Sequence, residues 1–559
     1  MHRLWNDQGL VKRILTATRY PDPSVLDFVD AVDLSELDSG TLSHLESSYK
    51  VHRLQRLTIN VNDAEHRNTL AQCALVCRAF CLPAVELLWS RVPCFEALVD
   101  LLPSDYKAKR YGESVPVLTR ELTPSEVTAS KSFLRHQTMV HSLAYCDTHE
   151  RTTPLTISYL VSSWPYADKV PFPNVTSAVW DVEYAYNLSS VMHFLRPRLQ
   201  SLELRVKAKS DFTSTPSDIL LAVAVNCTNL TSLSLTGSFV FTDSIPAFRK
   251  LATNLVHLTD LKLLQEQDWH DFPGQGEASA TPVVPETPAF PALQNVTLHG
   301  TFYAVFSTLG QLCCYPQQRA HLRLTQAPTV AQVTSLLRRL ARSPITLSHI
   351  EISLVKHPMF PVGSADDTLT GSAFQSLFRL SRIVHLELHQ LGIAVDLSDR
   401  DIHQMGVAWP RLHFLALDTH PSPIQRPDWM PTLPLEQLAL YAEAFPRLQV
   451  LKTPLCAPKR EVIADLVHTA VPSASPLWGL NWDVSGIDDE HEDLVLAYLL
   501  VVFPCLTLVK RCTSERWDTK NMVIRKGMKM IPARARREWD VRAVASLESD
   551  KWAYRSWCL

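Results

Sequence analysis

What this chain of 559 residues lacks narrows the reading before any motif is considered. Net charge is nearly absent: 54 Lys and Arg stand against 57 Asp and Glu. No broad electrostatic grip on DNA or RNA is therefore expected, and no nucleic-acid partner. Cysteine is sparse, with 12 residues thinly spread and without framework spacing. That predicts reduced thiols and a cytoplasmic or nuclear location. No secretory start is visible, because residues 1–17 place Arg3, Asp7, Lys12 and Arg13 among their apolar positions. The longest apolar run, residues 494–509, is short for a span and contains Pro504, so no membrane partner is expected. A Gly-rich phosphate loop, a nucleophile elbow and a metalloprotease helix are all missing. The expectation is a protein that is no enzyme and uses no cofactor.

What is present is a repeat. Phe172-Pro173, Phe290-Pro291, Trp409-Pro410, Phe445-Pro446 and Phe503-Pro504 each stand three residues ahead of an apolar anchor: Val175, Leu293, Leu412, Leu448 and Leu506. Copies without the aromatic-Pro pair begin at Leu199, Leu230, Leu258, Leu347, Ile383 and Leu477, and a partial one has Arg319 in the anchor slot. These twelve anchors are spaced 24 to 36 residues apart, and most continue as L-x-x-L-x-L. A period of this size with a leucine strand motif indicates units of one short strand and one helical return. The sequence resembles a leucine-rich-repeat protein over about 171–512. The resemblance implies an α/β solenoid, a horseshoe with parallel strands on the concave face and helices outside. Helical apolar spacing places returns at 219–225, 245–255, 330–340, 374–380 and 463–467, and 435–440 reads as a return helix despite its leucines. Residues 268–289 and 357–372 read as inserted surface loops.

Ahead of the repeats, Leu70, Cys73, Cys77, Phe80 and Cys81 have helical spacing, and Pro83 is expected to separate them from a second short helix bearing Val85, Leu87, Leu88 and Trp89. The three cysteines read as small core residues. The run Cys73-Ala74-Leu75-Val76-Cys77-Arg78-Ala79-Phe80, followed by Leu87-Leu88-Trp89, resembles the latter half of an F-box in its fungal form. Residues 45–60 do not carry the opening Leu-Pro helix of that family. The resemblance implies a small all-α module whose Leu70, Cys73, Leu75, Val76, Cys77, Phe80, Leu88 and Trp89 dock a Skp-family adaptor of a cullin-RING ubiquitin ligase. The repeats would then select an unknown protein substrate. The alternative is a repeat scaffold that has lost adaptor binding. The expected organisation is a poorly defined helical segment at 1–68, partial F-box-like helices at 69–103 and a helical connector or cap at 104–170. Within the connector, 125–144 is expected as one long helix capped by Ser125. The repeats and a basic cap or tail at 513–559 complete the chain.

In an L-x-x-L-x-L strand the leucines point inward and period-two alternation sends the residues between them to the open face. That puts His299, His321, Arg323, His349, Glu351, His385, Glu387 and His389 on the face offered to a partner. Aligned on their anchors, His321, His349 and His385 are expected in one slot of three successive units, with Arg323 beside Glu351 in the next. Side chains on a flat strand seldom converge tetrahedrally, so this column reads as a polar recognition strip and no metal is expected.

Overall fold

The structure is a computed structural model. It describes residue 71 and residues 78–510, leaving out 110–115, 147–153, 165–170, 207–214, 238–244, 266–289, 313–317, 343–345, 356–367, 418–432, 457–458, 482–491 and a few single positions. Residues 1–68 and 513–559 lie outside the described residues, as does the first inserted loop.

The aromatic-Pro pair forms a β-turn. The carbonyls of Phe172, Phe290, Trp409, Phe445 and Phe503 accept from the N–H groups of Val175, Leu293, Leu412, Leu448 and Leu506 at 3.0–3.3 Å. Proline, with its fixed φ, suits the second position of such a turn. The aromatic ring goes inward, leaving none of the five more than 1% exposed. Trp409, Phe445 and Phe503 also close the preceding helix, donating to Met405, Tyr441 and Leu499. The same turn recurs without proline at Cys227, Leu255 and Leu380, whose carbonyls take the N–H groups of Leu230, Leu258 and Ile383. The repeating device is thus a buried apolar residue at the turn, and the aromatic-Pro pair is one version of it.

The chain divides into two compact units, one running through Leu230 and the other from Thr231. In the first unit the strands are β1 (Arg91–Val92), β2 (Lys107–Lys109), β3 (Pro116–Leu118), β4 (Ser142–Cys146), β5 (Ser177–Val182) and β6 (Ser201–Val206). Strands β1, β4, β5 and β6 form a parallel sheet in that order, and β2 and β3 make an antiparallel ribbon. The repeats therefore begin earlier than residue 171. Tyr145, Trp180 and Val182 take inward leucine positions and are fully buried.

Several expectations for the first unit are corrected by its helices and strands. The single helix at 125–144 is two helices, Pro124–Ala129 and Lys131–Gln137, followed by β4. Its cap is Thr123, whose capping box with Glu126 satisfies both backbone N–H groups. The connector at 104–170 consequently carries strands as well as helices. Pro83 does not divide two helices but lies inside one, Arg78–Ser90, and Cys81 on that helix is exposed.

The second unit contains β7 (Ser232–Thr236), β8 (Asp260–Leu264), β9 (Asn295–Gly300), β10 (Arg319–Leu324), β11 (His349–Leu354), β12 (Thr368–Thr370), β13 (His385–His389), β14 (Ala394–Asp396), β15 (Phe414–Ala416), β16 (Val450–Lys452), β17 (Gly479–Asn481) and β18 (Leu508–Lys510). All but β12 and β14 lie in one parallel sheet in chain order. The exceptions pair with each other, so the second insert ends sooner than expected, at the start of β12. Return helices connect the strands, including Ile245–Asn254, Phe302–Leu312, Val330–Leu340, Asp399–Ala408, Leu438–Ala444 and Arg460–Thr469. Residues 435–440 do enter a helical return, as a 3-10 turn leading into Leu438–Ala444. Inward residues such as Leu298, Leu322, Ile350, Ile352, Leu386, Leu388 and Leu415 are completely buried, while those between them stay half-buried or exposed. One buried apolar spine with helices on one side and an open sheet face on the other is an α/β leucine-rich-repeat solenoid.

Candidate functional site

The open face of β9–β16 presents three parallel rows fixed by strand register. The first runs Asn295, Arg319, His349, His385, Phe414, Val450. The second runs Thr297, His321, Glu351, Glu387, Ala416, Lys452. The third holds His299, Arg323, Ser353 and His389. Every expected open-face residue is on this face. The expected column is corrected, however: His321 is level with Glu351, and His349 is level with Arg319. The slip is two residues, because Ala320 occupies the first inward position of its strand, level with Ile350, where a leucine was sought. Two residues is the smallest slip that keeps the same face outward.

In the first row the register stacks flat rings. His349 and His385 lie 5.7 Å apart between centroids at 21°, and His385 and Phe414 lie 4.0 Å apart at 4°. Neighbouring strands about 4.8 Å apart make such stacking natural for side chains in one row. Ser348 Oγ donates to the Gln318 carbonyl at 3.0 Å and lies 2.8 Å from His349 Nδ1. A hydroxyl committed as donor accepts from that nitrogen, which assigns the proton of the neutral imidazole to Nδ1 and leaves Nε2 bare. Burial, with Arg319 and His385 nearby, pushes the His349 imidazole down to about 4.

Charge is concentrated in the second row. Lys452 Nζ reaches Glu387 Oε1 at 3.2 Å from two strands away and lies 5.0 Å from the centre of the Phe414 ring. The methyl side chain of Ala416, between them, leaves the room for this reach. His385 Nε2 stands 3.3 Å from the other oxygen of Glu387. Burial alone would raise the Glu387 carboxyl, but His385 and Lys452 outweigh it and hold the group at about 2. His321 Nε2 is 2.6 Å from Glu351 Oε1 and 3.0 Å from Arg323 Nε. One nitrogen serves one of these at a time: it donates to Glu351 when protonated, or accepts from Arg323 when bare. His321 therefore stands between Arg323 and Glu351, which were expected to pair directly, within reach of either. In the third row, burial and then Arg323 lower the His299 imidazole. His389 is half-buried at the row's end.

Sequence reasoning passed over Arg319, by placing it in an anchor slot, and Lys452. The signal for Lys452 was the spacing from Leu448, which makes Leu451 inward and residues 450 and 452 outward. The expected adaptor-binding residues Leu70, Cys73, Leu75, Val76 and Cys77 lie outside the described residues. Phe80 is in the helix Arg78–Ser90, where Leu88 is half-buried and the Trp89 ring packs against His136, tilted by 50° with centroids 4.6 Å apart. Among the described residues no group of three or more His, Cys, Asp and Glu is placed to hold a metal ion, and no helix is long and apolar enough to cross a membrane.

No protein-family profile and no curated protein matches this sequence. Solved structures do. The leucine-rich-repeat-containing protein LegL7 from Legionella pneumophila is 14% identical over 71% of this chain and 92% of its own, with a TM-score of 0.28. The Rad7 and Elc1 complex in yeast matches at 13% identity over 87% of this chain and 97% of that chain, with a TM-score of 0.31.

Proposed function

We propose that this chain is a non-catalytic recognition subunit of a Skp-cullin-F-box type ubiquitin ligase, holding a protein substrate on the open sheet face of its second unit. The carrying observation is the ladder His349–His385–Phe414 beside the ordered pairs His321–Glu351 and Glu387–Lys452. Flat rings at an open surface, flanked by fixed charges, supply the anchor and the polar frame of a protein interface. Catalysis would be positional: the substrate is brought to a ubiquitin-loaded partner at raised effective concentration. The adaptor contact rests on the F-box resemblance of residues 73–89. In a capture experiment, a Skp-family adaptor is expected to retain the full chain and to lose at least tenfold of it on Leu75→Asp. If the wild-type chain is not retained, the ligase role is wrong.

One observation favours a second reading, a repeat scaffold without adaptor binding. Trp89, expected on the adaptor face, is engaged by His136 of the same chain, and its helix leads straight into β1. Such a helix serves as the terminal cap a repeat array needs. Capture of a protein substrate without capture of the adaptor is its signature.

A further inference from the structure

The open face is not electrically uniform. Lys262 on β8 and Arg319 and Arg323 on β10 are all exposed. The carboxylates of the same face are already engaged within the chain: Asp260 accepts from Asn295 Nδ2 at 2.7 Å, Glu351 faces His321, and Glu387 is held by His385 and Lys452. Among the described residues, no carboxylate lies within ion-pair distance of Lys262, Arg319 or Arg323, and the polar side-chain contact found for the three is that of Arg323 with His321. What this part of the face lacks is a carboxylate opposite these three cations.

Resting on the recognition reading above, we infer that the open face of β8–β10 takes an acidic segment of the protein partner, whose Asp or Glu carboxylates seat at Lys262, Arg319 and Arg323. The register sets the geometry. Lys262 is level with Thr297 and His321, one row from Arg319 and one row, on the other side, from Arg323. Arg319 and Arg323 are four residues apart on one strand, about 13 Å, and β8 lies two strands away, about 10 Å. Three cations at that separation match a few successive turns or steps of one acidic stretch rather than a single small anion. Exposed guanidinium groups bind carboxylates bidentately and so add orientation to attraction. The adjoining ring ladder gives the same segment an apolar place to rest beyond its charges. Steering by such a patch acts mainly on association and is weakened by salt.

The test uses the full chain and a fluorescein-labelled Glu-rich decapeptide, with its Gln counterpart as control, followed by anisotropy at low ionic strength. The Glu peptide is expected to bind at least tenfold more tightly than the Gln peptide and to weaken steadily with added salt. Combined Lys262→Glu, Arg319→Glu and Arg323→Glu should abolish that preference and create binding of a Lys-rich decapeptide, a gain that misfolding does not produce. Lys131→Glu, Arg400→Glu and Lys459→Glu together change net charge equally at other exposed positions and should leave binding within twofold. Equal binding of both wild-type peptides, retention of the preference in the triple variant, or equally tight binding of an oligonucleotide of matched charge would overturn the inference. With a captured protein partner, release by Phe414→Ala but not by the triple reversal overturns the acidic segment alone. Release by neither also removes the recognition reading.

Discussion

His349 shows how a residue acquires its state from the row in which it stands. Its charged form is opposed by burial and faces Arg319 from β10 and His385 from β13, while Ser348 fixes the neutral tautomer and Glu351 on its own strand is turned to His321. Its folded value, about 4, lies below the ordinary 6.5. The unfolded chain therefore binds more protons across that interval, and stability contributed by His349 is lost as pH falls from about 6.5 to about 4. His349→Phe keeps a ring in the stack and removes the titration. Thermal melting of both proteins between pH 7 and pH 4.5 should show the wild type losing more, and parallel falls would refute the assignment. Glu387 has the opposite chemistry and a separate window: its folded value near 2 lies below the ordinary 4.5, so its contribution is present above 4.5 and disappears only toward pH 2. Melting between pH 5 and pH 6 thus reads the imidazole alone of these two.

At the scale of elements, the return helices are packed closely enough for a methyl group to matter. A Cβ at Gly406 in Asp399–Ala408 would fall on the backbone carbonyl of Ala444, the last residue of the neighbouring helix Leu438–Ala444. Alanine is the better helix former by about 1 kcal/mol. Overpacking against a backbone that cannot rotate away costs about 1–3 kcal/mol. The second effect should win, and Gly406→Ala is expected to lower the urea midpoint of the second unit; an unchanged or raised midpoint would show that the two helices separate freely. The strand motif and the returns at 219–225, 245–255, 330–340 and 463–467 were legible in the sequence because leucine spacing reports burial directly, whereas the return helices Phe302–Leu312 and Asp399–Ala408 were passed over. Strand β4 was not, since Leu143 and Tyr145 keep the alternation without the repeated leucine, and Thr123-Pro124-Ser125-Glu126, a capping box, was passed over beside a more conspicuous serine. The open-face residues were legible one by one. Their alignment across strands was not, because Ala320 is small enough to be read as a gap although it is as inward as Ile350.

For the molecule as a whole, the arrangement of strands decides how damage spreads. Each strand from β8 to β17 in the second unit's parallel sheet touches one neighbour on either side, so stability in such a repeat array is a sum of local and nearest-neighbour terms. Leu386, fully buried in β13, meets β11 on one side and β15 on the other. Leu386→Ala should cost about 2–5 kcal/mol through lost burial and the cavity left behind. In a globular core that loss would be shared by every element. Here, hydrogen exchange is expected to quicken at β11, β13 and β15, while β7 and β8, several strands away, keep their protection. The His349–His385–Phe414 ladder spans those same three strands, so partner capture should weaken together with the local exchange protection. A uniform rise in exchange from β7 to β17 would mean that the second unit unfolds as one cooperative body, and the nearest-neighbour account would then be wrong.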